Sequence, residues 1–292
     1  MSKYYGIDVG GTTIKLGLFS EDGLMHQWEI PTDISDCGKN IIADIAASLP
    51  GSGDGAAIGV PGVVLADGTV NRCVNLGWGV CRPGDEFTAL TGIPCRMGND
   101  ANVAALGEQW LGAGMGYKSV LMVTLGTGVG GGVIHHGHII TGSHGAAAEI
   151  GHICVDPLEP EPCHCGNHGC LEHYCSATGI TRLARRAGLG ELTAKEIFDR
   201  AAAGDGAALA VVDKACDYLG RGIAAACAVF DPEAVILGGG VSRAGEFLRI
   251  RVDQAFEKYA FHACRETRIC LASLGNDAGI YGAARLAMGL KT

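Results

Sequence analysis

Short apolar runs that end in glycine, threonine or asparagine alternate with longer amphipathic stretches along the chain. Residues 4–9 and 14–20 are two β-prone runs on either side of a Gly-Gly-Thr-Thr turn, and this arrangement predicts a β-hairpin. Residues 119–125 form another apolar run, and a glycine-rich string separates it from an apolar stretch at residues 132–140, which predicts a further strand. The pattern therefore predicts two α/β halves, each opening with a hairpin whose turn is rich in glycine and threonine.

Strand-like and helix-like segments alternate through the rest of both halves. Further strands are predicted at residues 28–31, 56–60, 94–97, 234–237 and 268–272. Helices are predicted at residues 37–49, 86–91, 100–111, 176–188, 193–203, 207–230, 245–260 and 278–290. We assign residues 1–115, together with the C-terminal segment 278–292, to a small α/β domain and residues 116–277 to a large one.

The composition disfavours several classes of protein. A formal net charge of −9 over 292 residues argues against binding to nucleic acid or to anionic membranes, because both present negatively charged phosphates. No apolar run reaches the roughly 18 residues that a membrane span needs, and the first residues lack the apolar core of a signal peptide. Many of the 13 cysteines sit singly in apolar segments, which is typical of free thiols in a reducing compartment. We expect a soluble protein of the cytoplasm.

One loop, residues 149–172, combines metal-ligand chemistry with a backbone that prolines and glycines interrupt. Its candidate ligands are His152, Cys163, Cys165 and Cys170. Three thiolates and one imidazole would fill all four positions of a structural zinc site. Free thiols or a disulfide are the alternative reading of the cysteines, and His164 and His168 compete with His152 for the fourth position. Glu149 and Glu172 flank the loop, and the zinc interpretation leaves them open for another role.

Three glycine-rich turns have the chemistry of phosphate or nucleotide contacts. The turn after Asp8 exposes backbone N–H groups and hydroxyls suited to phosphate oxygens, and a carboxylate beside it suits Mg²⁺; an ordinary glycine hairpin is the alternative. Residues 126–131 match G-x-G-x-x-G, but a strand-like stretch follows where the dinucleotide fingerprint needs a helix. Residues 238–240 follow a buried strand and let the backbone approach a flat ligand; a plain turn between a strand and a helix is the alternative. Asp100 stands where a strand meets a helix, a position that an N-cap alone would also explain.

Together, Asp8-Val-Gly-Gly-Thr-Thr, Asn99-Asp100, residues 126–131 and the block 149–172 resemble the ROK family of sugar kinases. The resemblance covers nearly the whole chain, and the cysteine–histidine block is its most specific part. It implies the actin-like ATPase (ribonuclease H-like) fold, with two α/β domains around a central cleft that holds ATP and sugar. Repressors of the family carry an additional N-terminal helix-turn-helix, whereas this sequence opens at the first strand, so the resemblance favours a kinase.

The resemblance also implies roles for individual residues. Asp100 is expected to be the general base that takes the proton from the attacking sugar hydroxyl. Sugar contacts are expected from Gly62, Asn75, Asn99, Asp100, Glu149, His152 and Glu172. Asp8 is expected to position Mg²⁺, and the ATP contacts are expected from Gly10, Gly11, Thr12, Gly126, Thr127, Gly128, Gly238, Gly239 and Gly240. His152 is then both a ligand of a structural Zn²⁺ and a sugar contact, so that the metal orients the recognition loop.

The expected activity is ATP-dependent phosphorylation of a hexose, with glucose converted to glucose 6-phosphate. Kinases of the family for N-acetylmannosamine, N-acetylglucosamine, allose and fructose share these motifs and stay as alternatives. A non-catalytic sugar-sensing regulator is another alternative, which the intact Asp8 and Asp100 disfavour. An NAD-dependent oxidoreductase using residues 126–131 is the least favoured interpretation. Because members of the family are commonly dimers, a homodimer is expected, with sugar and ATP as its small-molecule partners.

Overall fold

The computed structural model describes residues 2–291, so Met1 and Thr292 lie outside the described residues. Internal contacts divide the chain into two compact units. Unit 1 comprises Met1–Gly116, Gly132–Ala147 and Leu274–Thr292, and unit 2 comprises Tyr117–Gly131 and Ala148–Ser273. This division differs from the one expected from the sequence at residues 132–147 and 274–277, which make their contacts within unit 1.

Strands and helices alternate in both units. The strands are β1 (Tyr4–Val9), β2 (Thr13–Ser20), β3 (Gly23–Pro31), β4 (Gly55–Val60), β5 (Val63–Val64), β6 (Val70–Arg72), β7 (Cys95–Asn99), β8 (Ser119–Leu125), β9 (Val129–His135), β10 (His138–Ile139), β11 (Ala234–Gly238) and β12 (Arg268–Leu271). The α-helices are α1 (Ile41–Ser48), α2 (Pro83–Thr91), α3 (Asp100–Leu111), α4 (Glu172–Cys175), α5 (Ala177–Arg186), α6 (Ala194–Ala202), α7 (Gly206–Phe230), α8 (Glu246–Tyr259) and α9 (Ala278–Met288). In the part of the chain described, no helix combines the length and apolar character needed to cross a bilayer.

The sheet of unit 1 has the strand order β3-β2-β1-β4-β7. β1 pairs antiparallel with β2 and parallel with β4, which in turn pairs parallel with β7. Every residue of β4 is buried, as is typical of a parallel strand covered on both faces. Helix α9 packs on β1, where a Cβ on Gly6 would lie 2.0 Å from the carbonyl oxygen of Ile280. Glycine therefore sets how closely this helix approaches the sheet.

The second sheet has the order β10-β9-β8-β11-β12. In unit 2, β8 pairs parallel with β11, and β11 pairs parallel with β12. The long helix α7 packs against α6 and α8. Its first turn is capped by Asp205, whose side chain accepts hydrogen bonds from the N–H groups of Ala207 and Ala208. The strand pair β8–β9 repeats the pair β1–β2, because a glycine- and threonine-containing turn joins neighbouring strands in both cases, as the sequence pattern predicts.

Several predicted elements have different bounds in the structure, such as β3, which begins at Gly23 rather than at residue 28. Two of the differences follow from the backbone conformation. The strand predicted at residues 132–140 is two strands: β9 begins inside the glycine string at Val129 and ends at His135, and β10 follows after His136 and Gly137. Both turn residues have positive φ, 50° and 76°, which is the backbone of a tight hairpin turn. The helix predicted from residue 37 begins only at Ile41, because Asp36 and Cys37 have φ values of 46° and 59°, outside the helical region.

Candidate functional site

The carboxyl ends of three parallel strands gather several of the predicted site residues of unit 1. Strands β1, β4 and β7 run parallel, with Asp8 paired to Gly59 and Val60 paired to Asn99. The ends of parallel strands lie at one edge of a sheet, which is where α/β proteins bind ligands. This edge therefore carries Asp8 and the turn after it, the Gly62 segment, and Asn99 with Asp100.

Asn99 and Asp100 form a hydrogen-bonded pair at this edge. The Asn99 Oδ1 atom accepts from the N–H of Asn102 at 3.1 Å, so Asn99 is the N-cap of α3. Its Nδ2 atom donates to the carbonyl oxygen of Gly62 at 3.2 Å and to Asp100 Oδ1 at 3.0 Å. Asp100 Oδ1 also accepts from the N–H of Ala101 at 2.8 Å. Because Asn99 is the N-cap, capping does not explain Asp100, and these contacts instead fix the plane of its carboxylate.

Asp8 is a mostly buried carboxylate in the same unit. Burial, and to a smaller extent the negative charge of Asp100, raise its pKa to about 6 against the opposing effect of Lys15. A Cβ on Gly279 would lie 2.4 Å from Asp8 Oδ2, so glycine near the start of α9 makes room for this carboxylate. A carboxylate whose charge is opposed by its surroundings is suited to a bound cation, and carboxylate oxygen is a preferred ligand of Mg²⁺.

The turn after β1 is held by a hydrogen bond to the first residue of β2 and by hydrogen bonds from Thr32, the residue after β3. The Gly10 N–H donates to the carbonyl oxygen of Thr13 at 3.1 Å. Thr32 donates from its hydroxyl to the Gly10 carbonyl at 2.7 Å and from its N–H to the Thr12 carbonyl at 3.0 Å. Gly11 and Thr12 are exposed, and nothing lies within 4 Å of a Cβ added to Gly11. The turn is thus a fixed and open backbone concavity.

Asn75 lies on a loop that packs against the Gly62 segment. It belongs to the 3-10 turn Val74–Leu76 and is exposed. Cys73, two residues earlier, is fully buried, and its thiol donates to the carbonyl oxygen of Pro61 at 3.3 Å. A Cβ on Gly62 would approach the Cys73 Cβ to 3.1 Å. Cys73 therefore links the Asn75 loop to the carboxyl end of β4.

In unit 2, two glycine turns follow neighbouring parallel strands. Thr124 of β8 pairs with Gly238 of β11, so the turns at residues 126–128 and 238–240 leave the same edge of the sheet. Gly239 has φ of 83°, and a Cβ there would lie 2.6 Å from the carbonyl oxygen of Leu125. Only glycine allows the backbone to approach this closely. The close approach places the turn at residues 238–240 beside the turn at residues 126–128.

The N-terminus of α5 anchors the turn at residues 126–128. The N–H of Ala177 donates to the Gly126 carbonyl at 2.8 Å, and the hydroxyl of Thr178 donates to the Thr127 carbonyl at 2.8 Å. Gly126 also donates its own N–H to the carbonyl oxygen of Gly128 at 3.0 Å. The turn is therefore a defined structure that β8 and α5 hold together.

Glu172, expected as a sugar contact, touches both this turn and the cysteine cluster. Its Oε2 atom accepts from the N–H of Val129 at 3.0 Å. A Cβ on Gly128 would lie 2.3 Å from the same oxygen. Its Oε1 atom lies 3.9 Å from Cys163 Sγ. The carboxylate of Glu172 therefore connects the cysteine loop to the turn at residues 126–128.

Glu149 and His152 stand at the two ends of a short turn that packs on β9. Ala148, immediately before Glu149, has φ of 66°, a conformation that is costly for alanine. A Cβ on Gly151 would lie 2.1 Å from the Val129 carbonyl oxygen. The turn is therefore pressed against the strand, and both Glu149 and His152 are exposed.

Four ligand atoms form a compact cluster in the cysteine loop. The side-chain ligand atoms of His152, Cys163, Cys165 and Cys170 all lie within 4.8 Å of one another. Cys165 Sγ and Cys170 Sγ are 3.6 Å apart, close to the roughly 3.8 Å that tetrahedral zinc with Zn–S bonds of about 2.3 Å imposes on two sulfurs. His168 instead bonds through Nδ1 to the carbonyl oxygen of Glu159 at 3.0 Å. All 13 cysteines are free thiols in the structure.

Several residues with evident roles did not stand out in the sequence. Lys15 Nζ donates to Asp277 Oδ1 at 3.0 Å and affects the charge of Asp8. Glu159, in the proline-rich part of the cysteine loop, is buried with two arginines as partners. Their sequence separations, 262 residues for Lys15–Asp277 and 27 for Glu159–Arg186, are beyond what local patterns reveal.

Comparisons with known proteins extend over nearly the whole chain. Residues 4–289 match the ROK family. A glucokinase of Halalkalibacterium halodurans is 43% identical, covering 96% of this chain and 93% of its own length. The crystal structure of a ROK hexokinase from Thermus thermophilus is 33% identical, covers 99% of both chains and has a TM-score of 0.89. A ROK family glucokinase from Streptomyces griseus, in complex with glucose and AMPPNP, is 32% identical over 99% of this chain and 100% of its own, with a TM-score of 0.80.

The structural similarity confirms the predicted actin-like ATPase fold of class α/β. Family match, sequence identity and fold agree over the same residues, and they agree with the motifs at Asp8, Asp100 and residues 149–172. The chain therefore belongs to the ROK family.

Proposed function

We propose that the protein is an ATP-dependent sugar kinase that phosphorylates glucose to glucose 6-phosphate. The observation that carries this proposal is the Asp100 carboxylate, held in one orientation beside Asn99 at the ligand-binding edge of unit 1. The relative that is 43% identical over nearly the full chain is a glucokinase, and a similar structure is a glucokinase with glucose and AMPPNP.

Asp100 acts as the general base in this proposal. A carboxylate within hydrogen-bond reach of the sugar hydroxyl accepts its proton as the hydroxyl oxygen attacks the γ-phosphorus of ATP. Sugar recognition is assigned to Gly62, Asn75 and Asn99 of unit 1 and to Glu149, His152 and Glu172 of unit 2. A sugar that lacks a hydroxyl would leave such groups unpaired, and this penalty gives discrimination among sugars.

The nucleotide is assigned to the three glycine turns. Phosphate oxygens contact the backbone of Gly10, Gly11, Thr12, Gly126, Thr127 and Gly128, and the adenosine part lies against Gly238, Gly239 and Gly240. The open backbone of the first turn and the α5-anchored second turn support this assignment. Mg²⁺ held near Asp8 would neutralise part of the charge on the ATP phosphates. The burial of Asp8, which raises its pKa, supports a cation there.

The cysteine cluster is assigned to structural zinc. The three thiol sulfurs and the His152 imidazole have the donor set and compactness of a closed tetrahedral site. All four positions come from protein ligands, so the metal's contribution is to hold the loop that carries His152 and lies between Glu149 and Glu172.

We also propose that the enzyme works in the cytoplasm as a homodimer, with sugar and ATP rather than nucleic acid or membranes as its partners. The free thiols of all 13 cysteines support a reducing compartment. The net charge of −9 supports the absence of polyanionic partners. The dimer rests on the resemblance to the family.

The test is glucose-dependent ADP release by the wild-type protein and by Asp100→Asn. The asparagine keeps an oxygen for the Ala101 N–H but cannot accept the sugar proton. We expect kcat to fall by roughly 10²–10⁴-fold, the usual contribution of a positioned base, while KM for glucose changes little. Asp67→Asn, an exposed carboxylate of unit 1, is the control. An unchanged kcat with a raised KM would show that Asp100 only binds the sugar.

A further inference from the structure

A buried carboxylate lies at the centre of a polar network under the cysteine loop. Glu159 stands between two prolines, and its side chain is only 2% exposed. Arg186 donates to both of its oxygens, from NH1 to Oε2 at 2.9 Å and from NH2 to Oε1 at 2.8 Å. Arg182 donates to Oε2 at 3.2 Å, and the hydroxyl of Tyr174 donates to the same atom at 2.8 Å. The carboxylate is therefore saturated with charged and polar donors.

A second carboxylate extends this arrangement to another helix. Asp156 Oδ2 accepts from the hydroxyl of Tyr218 at 2.8 Å, and at 3.0 Å from the Tyr174 hydroxyl it shares that hydroxyl's single proton with Glu159. The two tyrosine rings stack with their centroids 3.9 Å apart. We call Asp156, Glu159, Tyr174, Arg182, Arg186 and Tyr218 the Glu159 network. Its members tie the proline-rich segment of the loop to helices α4, α5 and α7.

The network also reaches the turn that carries the last two cysteines of the cluster. The carbonyl oxygen of Glu159 bonds with the His168 ring at 3.0 Å. The Gly169 carbonyl accepts from the N–H of Val155 at 2.8 Å. A Cβ on Gly169 would lie 1.9 Å from the carbonyl oxygen of Asp156, so the two parts of the loop are in direct backbone contact. Fixing Glu159 thus restrains residues on both sides of it.

The hold of the network on the loop depends on an ionised Glu159 carboxylate. Hydrogen bonds from Arg186, and then from Arg182, hold the pKa of Glu159 well below its usual range against the effect of burial. The carboxylate stays ionised throughout the working range of pH. A glutamine at this position would keep the shape but would remove the buried carboxylate that Arg182 and Arg186 share. The two guanidinium groups would then pair only with the exposed Glu161, at 3.0 and 2.8 Å, and the network would lose its buried ion pairs.

We propose that the Glu159 network positions the metal-binding loop independently of the metal, with Glu159 as its central positioning residue. Tyr174 belongs to the same short helix as Glu172, so the network also sets where the Glu172 carboxylate lies. The inference rests on the proposed function, because it is through Glu149, His152 and Glu172 that loop position affects sugar binding. Sugar affinity then depends on two supports, the metal site and the network.

The experiment compares Glu159→Gln and the milder Tyr174→Phe with Glu191→Gln. Glu191 pairs with Arg185 of α5 at 2.7 Å, but it is exposed and outside the network, so it is the matched control. We measure the zinc content, kcat, and the KM values for glucose and for ATP. We also measure hydrogen exchange of residues 154–170, with and without a chelator. We expect the network variants to keep their zinc and to show KM for glucose raised about tenfold, equivalent to about 1.4 kcal/mol. Their kcat and KM for ATP should change much less.

Hydrogen exchange distinguishes the contribution of the metal site from that of the Glu159 network. In the wild-type protein, chelation should release residues 163–167 while residues 158–161, whose N–H groups bond within their own segment, stay protected; in Glu159→Gln, chelation should release both. Full release of the whole loop by chelation alone in the wild type would overturn the proposal, as would network variants whose KM for glucose equals that of the control. If Glu159→Gln does not fold, Tyr174→Phe carries the test. A wild-type protein inactive on glucose would instead contradict the proposed function, while the exchange result would still decide the role of the network.

Discussion

At the residue scale, the candidate site depends on two carboxylates of unit 1 that have different surroundings. Asp100 is oriented by Asn99 and by the Ala101 N–H, as a proton acceptor must be. Asp8 is mostly buried, and the negative charge of Asp100 acts on it. The surroundings of Asp100 favour a fixed orientation of its carboxylate, and those of Asp8 favour binding of a cation. The sequence marked both residues, but only the structure shows that Asn99, not Asp100, caps the helix.

The raised pKa of Asp8 gives a prediction about stability. In the absence of divalent cations its pKa is about 6 in the folded protein and about 3.9 in the unfolded chain. Between these values the folded state holds a proton that the unfolded state has lost, so this group makes the free energy of unfolding fall as pH rises from about 4 to about 6. Asp8→Asn should therefore be more stable than the wild type at pH 8, by up to about 3 kcal/mol, with a smaller difference at pH 5.

Urea unfolding at the two pH values, with a chelator present, measures this difference. Asp44→Asn, which changes an exposed carboxylate of α1, should show no such trend. A variant at Asp8 that is less stable than the wild type at pH 8 would mean that the Asp8 charge stabilises the metal-free protein, contrary to our account.

At the element scale, the sequence predicted the existence and type of the strands and helices better than the residues at which they begin and end. The strands around the site are continuous apolar runs, such as β4 and β8, and these are visible in the sequence as they are in the structure. The start of α1 and the break between β9 and β10 were missed, because they depend on positive φ at Asp36, Cys37 and His136. Residues other than glycine adopt that conformation only where tertiary contacts hold them in it, and residue type alone does not reveal those contacts.

The cysteine loop illustrates the same limit. Its four candidate ligands could be predicted from residue type and spacing, and their ligand atoms cluster in the structure. The sequence did not indicate what else holds the loop. In the structure, Glu159 and Asp156 tie it to three helices. Contacts between residues 15 to 62 positions apart depend on the packing of the helices, which the local pattern does not contain.

Removal of one cysteine tests the role of the cluster. Cys165→Ala should lose bound zinc and remain folded, because the Glu159 network still holds the loop. Affinity for glucose should fall by about tenfold or more, and affinity for ATP should fall much less, since its assigned contacts lie in the three glycine turns. Cys154→Ala, an exposed cysteine of the same loop outside the cluster, is the control. Metal analysis gives the zinc content, and calorimetric titration gives the affinities for glucose and for ATP. If Cys165→Ala keeps one equivalent of zinc, or loses both affinities equally, the assignment of the cluster to a structural zinc that supports sugar binding is contradicted.

At the scale of the whole molecule, each unit has a sheet whose parallel strands end in assigned ligand contacts. In unit 1 these ends carry Asp8, Gly62 and Asp100, and in unit 2 they carry the turns after β8 and β11. The repeated strand pair made this organisation predictable. The membership of residues 132–147 in unit 1 was not, because it depends on contacts such as that between Gly132 and α3, where a Cβ would lie 2.7 Å from the Ala105 Cβ.

The most direct test of the central claim is the kcat/KM of the wild-type protein for a panel of sugars with Mg²⁺ and ATP, measured as ADP release. The panel contains glucose, N-acetylglucosamine, N-acetylmannosamine, allose and fructose, and the product of the best substrate is identified by nuclear magnetic resonance. We predict that glucose gives the highest kcat/KM and that the phosphate is found on its 6-hydroxyl, with one ADP formed per sugar phosphate. A tenfold higher kcat/KM for another sugar would contradict the assignment of glucose, and ADP release that no sugar stimulates would contradict the assignment as a sugar kinase.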